Sequence, residues 1–268
     1  MPRFPSPNPL ILKKHLGDYA DSLEIFPYET VDSTNNAAKA DAQTASRPAL
    51  YEARGQTAGR GRLGRSFHSP ADTGLYMTVA YTTDRPLSDA VRVTAEAAVA
   101  TAAAIEALTD KHPAIKWVND IYLAGCKIGG ILTEAVSRTD GSTRMIVGLG
   151  INLTTTVFPD GLRAPASCLF PPQESSLATP ELADTLAGEI TRRLLDTVLG
   201  RTDPSQSLAF YRRHLLYVGE RVLCTRGHEV FAGVITGVSE DYALLVRVDG
   251  EIRRLSSGEI SIRPQNPS

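Results

Sequence analysis

The chain has 268 residues, 42% of them hydrophobic and 22% charged, and its 28 lysines and arginines stand against 30 aspartates and glutamates for a net charge of −2. Such a composition suits one sizeable core with a small appendage, excludes the disordered and fibrous classes, and argues against a protein whose main partner is a polyanion. Cys126, Cys168 and Cys224 are scattered and form no C-x-x-C pair, so neither a disulfide framework nor a thiolate zinc site is expected, and a reducing cytoplasm suits them.

The opening residues M-P-R-F-P-S-P-N-P carry four prolines and no apolar run. They resemble neither a signal peptide nor a membrane anchor, and no later stretch reaches a spanning length. Apolar spacing predicts a helix over Leu10 to Ala20, and Glu24 to Tyr28 reads as a short strand. In V-D-S-T-N-N-A-A-K-A, Ser33 is placed to cap a helix that starts at Thr34. The same hydroxyls and Asn35 would also offer donors and acceptors to a ligand, and the two readings are compatible.

Ala49 to Ala53 is expected as a strand running into E-A-R-G-Q-T-A-G-R-G-R-L-G-R-S-F-H-S-P, with Leu75 to Tyr81 as the strand running out. This loop sets Arg54, Arg60, Arg62 and Arg65 among Gly55, Gly59, Gly61 and Gly64, so fixed positive charges ride on a backbone that can approach a ligand closely. It lacks the G-x-x-x-x-G-K-[ST] pattern of a P-loop. Although Gly59, Gly61 and Gly64 spell G-x-G-x-x-G, arginines fill the gaps and no helical pattern follows. An anion-wrapping loop and an arginine-glycine nucleic-acid contact both remain open from these residues alone.

Ser88 to Leu108 is the first long helix, with a face of small residues at Val91, Ala95, Ala98, Ala102 and Ile105 suited to lying flat on a sheet. Three strands are expected next, Ile115 to Leu123, Cys126 to Val136 and Thr143 to Asn152, turned by Ala124-Gly125 and Asp140-Gly141 and therefore antiparallel. A second long helix starts with Thr179 as N-cap and Pro180 in its first turn. It buries Leu182, Leu186, Ile190, Leu194 and Val198 and stops at Gly200. A short helix over Ser205 to Leu215 closes the large unit. Beyond Gly219 come five short strands, Arg221 to Thr225, Val230 to Val238, Ala243 to Val248, Glu251 to Leu255 and Glu259 to Ile262, which read as a small barrel with Asp249-Gly250 as a hairpin turn. The expected division is a catalytic domain over 1–217 and a barrel domain over 218–268.

The chemistry-bearing residues gather on the three antiparallel strands. K-W-V-N-D (Lys116 to Asp120) is expected to end one, K-I-G-G-I-L-T-E (Lys127 to Glu134) to start the next, and G-L-G-I-N (Gly148 to Asn152) to end the third. Asp120, Lys127 and Asn152 would then approach a common face that Gly129, Gly130, Gly148 and Gly150 leave shallow enough for a ligand.

With S-T-N at Ser33 to Asn35, Q-T-A-G-R-G-R-L-G-R at Gln56 to Arg65, and L-S-S-G-E-I-S-I-R at Leu255 to Arg263, these motifs cover nearly the whole chain in order. The sequence resembles the biotin protein ligases of the biotin-[acetyl-CoA-carboxylase] ligase type. Phe67 stands where the family usually has Trp, and Val118 where Pro is commoner. The resemblance implies an α+β fold, a class II aminoacyl-tRNA synthetase-like catalytic domain with a C-terminal SH3-like barrel. It also implies a two-step reaction in which biotin and ATP, with Mg2+, give biotinyl-5′-AMP and pyrophosphate, and the biotin then passes to a lysine of a biotin carboxyl carrier protein of acetyl-CoA carboxylase.

By the same resemblance Ser33, Thr34, Gln56 and the backbone near Arg60 hold the ureido ring of biotin, Lys127 reaches its carboxylate and the phosphate, and Asn35, Gly59 and Gly61 belong to the substrate-binding set. Arg62 and Arg65 serve the anions, and Lys116, Trp117, Asn119, Gly129, Gly130, Gly148, Gly150 and Asn152 complete the binding set. The catalytic assignments are Arg62, Lys127 and Asp120, with Asp120 steering or deprotonating the incoming lysine, and no protein metal site. Only some two dozen residues precede the first strand, too few for a three-helix DNA-binding unit, so a monofunctional ligase is expected. No nucleic-acid or membrane partner is expected, and a homodimer is left open. The rivals are a lipoate or octanoate ligase on the same scaffold, which would not be expected to carry G-R-G-R-x-G-R, and a non-enzymatic nucleic-acid-binding module. The second is disfavoured by the net charge and by the lack of interleaved aromatic residues.

Overall fold

The computed structural model describes residues 5–85, 89–162, 164–226, 228–256 and 260–264, the last stretch by its backbone alone. Its larger sheet has seven strands: β1 (Glu24–Val31), β2 (Ala49–Gln56), β3 (Gly74–Thr83), β4 (Ala114–Lys116), β5 (Asp120–Leu123), β6 (Cys126–Ser137) and β7 (Thr143–Asn152). They are ordered β1-β2-β3-β7-β6-β5-β4. β1 and β2 run parallel, because helix α2 (Thr34–Ala40) carries the chain back between them, and every other pair is antiparallel.

Side chains alternate across this sheet, so each strand feeds two cores. Leu50, Met77, Val79, Val147 and Ile151 face the large core built with the long helices α3 (Ala90–Leu108) and α4 (Pro180–Val198). Ala49, Tyr51, Ala80 and Ile146 point the other way and pack under Ala38 and Ala42 near α2. The short α2 covers only part of that second face, and the uncovered part is where a ligand can lie. Thr179 caps α4 as expected, accepting from the Leu182 amide at 3.1 Å. α1 (Pro9–His15) packs along α4, and α5 (Pro204–His214) closes the large unit.

The second sheet joins β8 (Arg221–Arg226), β9 (Glu229–Val238), β10 (Leu244–Val248), β11 (Glu251–Leu255) and β12 (Ile260–Pro264) in the antiparallel order β11-β10-β9-β8-β12. Asp249 and Gly250 both take left-handed φ, 51° and 88°, as a two-residue hairpin turn demands. This sheet is fastened to the large unit through the turn after β4 and through α5. The Trp117 Nε1 donates to the Tyr242 carbonyl at 2.8 Å, Arg212 donates to the Val238 carbonyl at 3.0 Å, and the rings of Tyr211 and Tyr242 meet edge to face at 5.2 Å.

Some boundaries differ from the sequence reading. The expected helix over Leu10 to Ala20 stops at His15, and Gly17, at φ 54°, turns the chain into a short 3-10 segment over 17–19. The first long helix is helical from Ala90, and Ser88 lies outside the described residues, as does Glu259. The largest correction concerns Ile115 to Leu123, read as one strand. It is a hairpin, β4 and β5 pairing Lys116 with Asp120 around a turn at 117–119 that includes a cis Trp117–Val118 peptide. The alternation of Ile115, Trp117 and Ile121 suits either form, and only the neighbouring strand decides between them. K-W-V-N-D is therefore a turn at the sheet's rim, which puts Asn119 and Asp120 where a strand end would not.

Candidate active site

β2 ends at Gln56, and the arginine-glycine loop that follows folds into a small hairpin. Gly61 donates to the Arg65 carbonyl and Phe67 to the Gly59 carbonyl, each at 2.8 Å, with Arg60 bridged to Ser66. Leu63 and Gly64 at its tip take φ of 61° and 70°. The loop thus lies over the glycine-bearing part of β6 and β7 and encloses a pocket with the start of α2.

Ser33, Thr34, Asn35, Gln56, Arg60, Gly61, Arg62, Asn119, Lys127, Gly130, Gly148 and Gly150 all line this pocket. Its floor is made of glycine because nothing larger fits. A β-carbon on Gly148 would collide with the Asn35 carboxamide, and one on Gly150 with the Phe67 ring. Ser33 occupies the N-cap position of α2 without a side-chain bond to the helix amides. Thr34 is tied to Gln56, whose Oε1 accepts from the Thr34 amide at 2.9 Å and from its hydroxyl at 3.2 Å, while Gln56 Nε2 donates to Ser69 Oγ at 2.9 Å.

At the other end of the pocket stand the charges. Lys127 Nζ lies 2.6 Å from Asp120 Oδ1, and Arg62 donates to Asn119 Oδ1 at 3.0 Å. Burial lowers the Arg62 pKa from the usual arginine value, although Asp120 pulls the other way. The backbone of Lys127 is held independently of its side chain, its amide donating to the Pro165 carbonyl at 2.8 Å and its carbonyl accepting from Ser167 at 2.9 Å. One end of the pocket therefore offers mainly neutral donors and acceptors, its one arginine, Arg60, being engaged by Asn36 and Glu134, and the other offers Lys127 and Arg62. That arrangement suits an elongated ligand with a polar neutral head and an anionic tail.

Other residues expected at the site lie outside this lining. Gly129 pairs with Ile151 and faces the opposite side of the sheet from Gly130, as strand alternation requires. Trp117 is buried and spends its indole N–H on Tyr242, so it anchors the second sheet. Lys116 Nζ sits over the Tyr122 ring, 5.6 Å from its centre. Gly59 is required by the loop's own packing, since a β-carbon there would lie 2.5 Å from both the Phe67 carbonyl and Ser69 Oγ. Arg65 is exposed beyond the hairpin tip. Asn152 is buried next to the pocket and donates to the Ser167 carbonyl at 3.0 Å, while its Oδ1 has no partner among the described residues. Sequence reasoning did not single out Thr78, Phe67 or Glu134 for the site. Phe67 and Glu134 fell inside quoted motifs, and Thr78 carried no signal because its place against Thr34 and Asn35 is set by strand register.

Residues 28–152 match the family described as Biotin/lipoate A/B protein ligase family, and residues 217–263 match Biotin protein ligase C terminal domain. The chain belongs to the biotin/lipoate A/B protein ligase family. Biotin--[acetyl-CoA-carboxylase] ligase of Paracoccus denitrificans is 32% identical to it over 230 residues, 81% of this chain and 91% of that protein. Bifunctional ligase/repressor BirA of Bacillus spizizenii is 30% identical over 209 residues, 77% of this chain, and the match spans only 64% of that longer relative. A solved structure of biotin protein ligase from Aquifex aeolicus in complex with biotin and ATP superposes with a TM-score of 0.72 at 25% identity, covering 91% of this chain and 99% of that one. Within the family the chain stands with the biotin protein ligases and has their α+β fold with a small C-terminal antiparallel sheet.

Among the described residues no helix is long and apolar enough to cross a membrane, and no group of three or more His, Cys, Asp and Glu is placed to hold a metal.

Proposed function

We propose that this protein activates biotin with ATP to biotinyl-5′-AMP and transfers the biotin to a lysine of a biotin carboxyl carrier protein. The observation that carries the reading is the polarity of the pocket. Thr34 and Gln56 meet at one end and Lys127 and Arg62 at the other, across a glycine floor, with Asp120 outside the lining but paired to Lys127. Biotin has that shape, with a ureido ring that needs hydrogen-bond partners and a chain ending in a carboxylate.

In the first step the biotin carboxylate attacks the α-phosphorus of ATP and pyrophosphate leaves. Two anions must meet, so the side chains contribute position and charge neutralisation. Lys127 reaches the carboxylate and the phosphate, Arg62 supports the phosphate, and magnesium enters as part of the substrate MgATP, carried by its phosphates. In the second step the ε-amine of the acceptor lysine attacks the acyl carbon and AMP leaves. Asp120 then steers or deprotonates that amine, once a substrate anion has drawn Lys127 away from it. Asn152 and Asn119 belong to the nucleotide side of the site. Residues 1–217 act as the catalytic domain and 218–268 as a barrel that supports it through Trp117. The relative of Paracoccus denitrificans, named for acetyl-CoA carboxylase, supports that carboxylase's carrier as the partner.

Biotin-dependent exchange of labelled pyrophosphate into ATP tests this reading, with lipoate and octanoate in parallel. Exchange with biotin and none with the two fatty acids is expected, and exchange supported equally by lipoate would replace biotin with its rival.

A second expectation concerns the loop. Arg60, Arg62 and Arg65 share a short glycine-rich hairpin whose mutual repulsion, eased at Arg60 by Glu134, falls further when a ligand anion binds. Trypsin should cut there fast in the free protein and slowly with biotin and MgATP together, with partial protection by biotin alone, because opening controls proteolysis. Equal cutting in all three conditions would mean that the loop does not close over the intermediate.

A further inference from the structure

We infer that Glu134 is a positioning residue that fastens the arginine-glycine loop to helix α2 and fixes the orientation of the Asn35 carboxamide behind the pocket. Glu134 lies on β6, two residues beyond Leu132 and on the same face of the sheet, at the far side of Asn35 from the pocket. Its Oε1 lies 3.2 Å from Arg60 Nη2 and 2.6 Å from Lys39 Nζ, and its Oε2 accepts from Asn35 Nδ2 at 3.0 Å. A loop cation, a helix cation and a helix amide thus meet at one carboxylate. Arg60 also donates to Asn36 Oδ1 at 2.9 Å, so the loop is held to α2 directly as well as through Glu134.

The inference follows from what a carboxylate can do. Ionised, it only accepts, as does the Leu132 carbonyl at the longer distance of 3.4 Å, so the Asn35 NH2 must face these two and the Asn35 Oδ1 must face Thr78. Asn35 Oδ1 carries no proton, so the single proton of the buried Thr78 hydroxyl, 2.7 Å away, is committed to it. Thr78 Oγ1, its proton spent, can only accept across the 2.8 Å to Thr34 Oγ1, so the single Thr34 proton is divided between Thr78 Oγ1 and Gln56 Oε1 and the constraint reaches a hydroxyl lining the pocket. Glu134 thereby sets which way the neutral end of the pocket presents donors and acceptors, without being part of its lining. The carboxylate is well prepared for this. Half-burial raises its pKa, yet Asn35, Lys39 and Arg60 outweigh that and hold it below the ordinary glutamate range, so it stays an acceptor at neutral pH.

Glu134→Gln tests both arms. Trypsin cleavage at Arg62 and Arg65 of the ligand-free protein should be about fivefold faster, the size expected for losing one partly exposed ion pair. In an Arg60→Gln background the same substitution should add nothing further, which a general loosening of the fold would not reproduce. A carboxamide can turn its NH2 toward Asn35 and reverse the relay, so biotin binding measured by calorimetry should weaken about tenfold. The rate at saturating biotin should change less than the KM. Unchanged cleavage together with unchanged biotin affinity would overturn the inference. Should the Glu134 variant not fold, Arg60→Gln reads the anchor from the loop side, and unchanged cleavage at Arg62 and Arg65 there would overturn it equally. The affinity arm rests on the biotin reading and the cleavage arm does not. Failure of wild-type exchange would count against the proposed reaction, and failure of the cleavage test against Glu134.

Discussion

Lys127→Ala should lower biotin-dependent pyrophosphate exchange by on the order of 10²–10³-fold while leaving the protein folded. In the proposed reaction the ammonium, with Arg62, serves the place where a carboxylate and a phosphate meet, and a group that neutralises both is worth most in the transition state. Each factor of ten corresponds to about 1.36 kcal/mol of lost stabilisation. The substitution also takes from Asp120 the ammonium that lies 2.6 Å away, leaving the Arg62 cation to act on it. The fold should tolerate the change, because the strand at this point is held by backbone bonds to Pro165 and Ser167. Exchange kinetics and a thermal melt on the same preparation check both halves. Near-normal exchange would remove Lys127 from the chemistry.

Arg54→Met should destabilise the protein by about 3–5 kcal/mol, the cost of leaving buried carboxyls without their cation, and lower the melting temperature by on the order of 10 °C. Arg54 and Glu52 leave β2 on the face away from the pocket and are 1% and 0% exposed. There Arg54 lies 2.5 Å from Asp184 on α4 and 3.2 Å from Glu52, and its Nε donates to the Pro5 carbonyl at 2.8 Å. Burial pushes Glu52 well above the ordinary glutamate range, and Asp184 is raised for the same reason, Arg54 opposing both. The folded state therefore keeps protons that the unfolded chain releases, so stability falls as pH rises from the unfolded carboxylate values through the raised folded ones. Removing the arginine raises both further and carries that fall on to higher pH. The loss in Arg54→Met should be larger at pH 8 than at pH 5 when measured by urea unfolding. A loss below 1 kcal/mol at both would show that the triad does not hold β2 to α4.

The triad also marks a limit of the sequence. Arg54 was read with Arg60, Arg62 and Arg65 as one anion-wrapping set, because all four fall within a dozen residues after the expected strand end at Ala53, whereas β2 runs on through Arg54 to Gln56. Only strand alternation and the position of α4 reveal that Arg54 points into the opposite core. The same cause separates Gly129 from Gly130: adjacent glycines in one motif lie on opposite faces, and Gly130 lines the pocket while Gly129 packs against β7.

What the sequence determined by itself was local or carried by spacing. The capping Thr179 with Pro180, the Asp249-Gly250 hairpin, the small-residue face of α3 and the short strands after Gly219 each follow from backbone and side-chain preferences within a few residues. The run of motifs from Ser33 to Asn152 identified the family because their order survives without coordinates. The tertiary structure decided the rest. It folded Lys116 to Asp120 into a turn at the sheet's rim, gave Trp117 to the second sheet, and set Thr78 and Glu134 behind Asn35. Each of these depends on which strand lies beside which and in what register, and a shift of one residue would reverse every side chain's face. Glu134 is 74 residues from Arg60 in the chain and 3.2 Å from it in space, a proximity that no local pattern encodes.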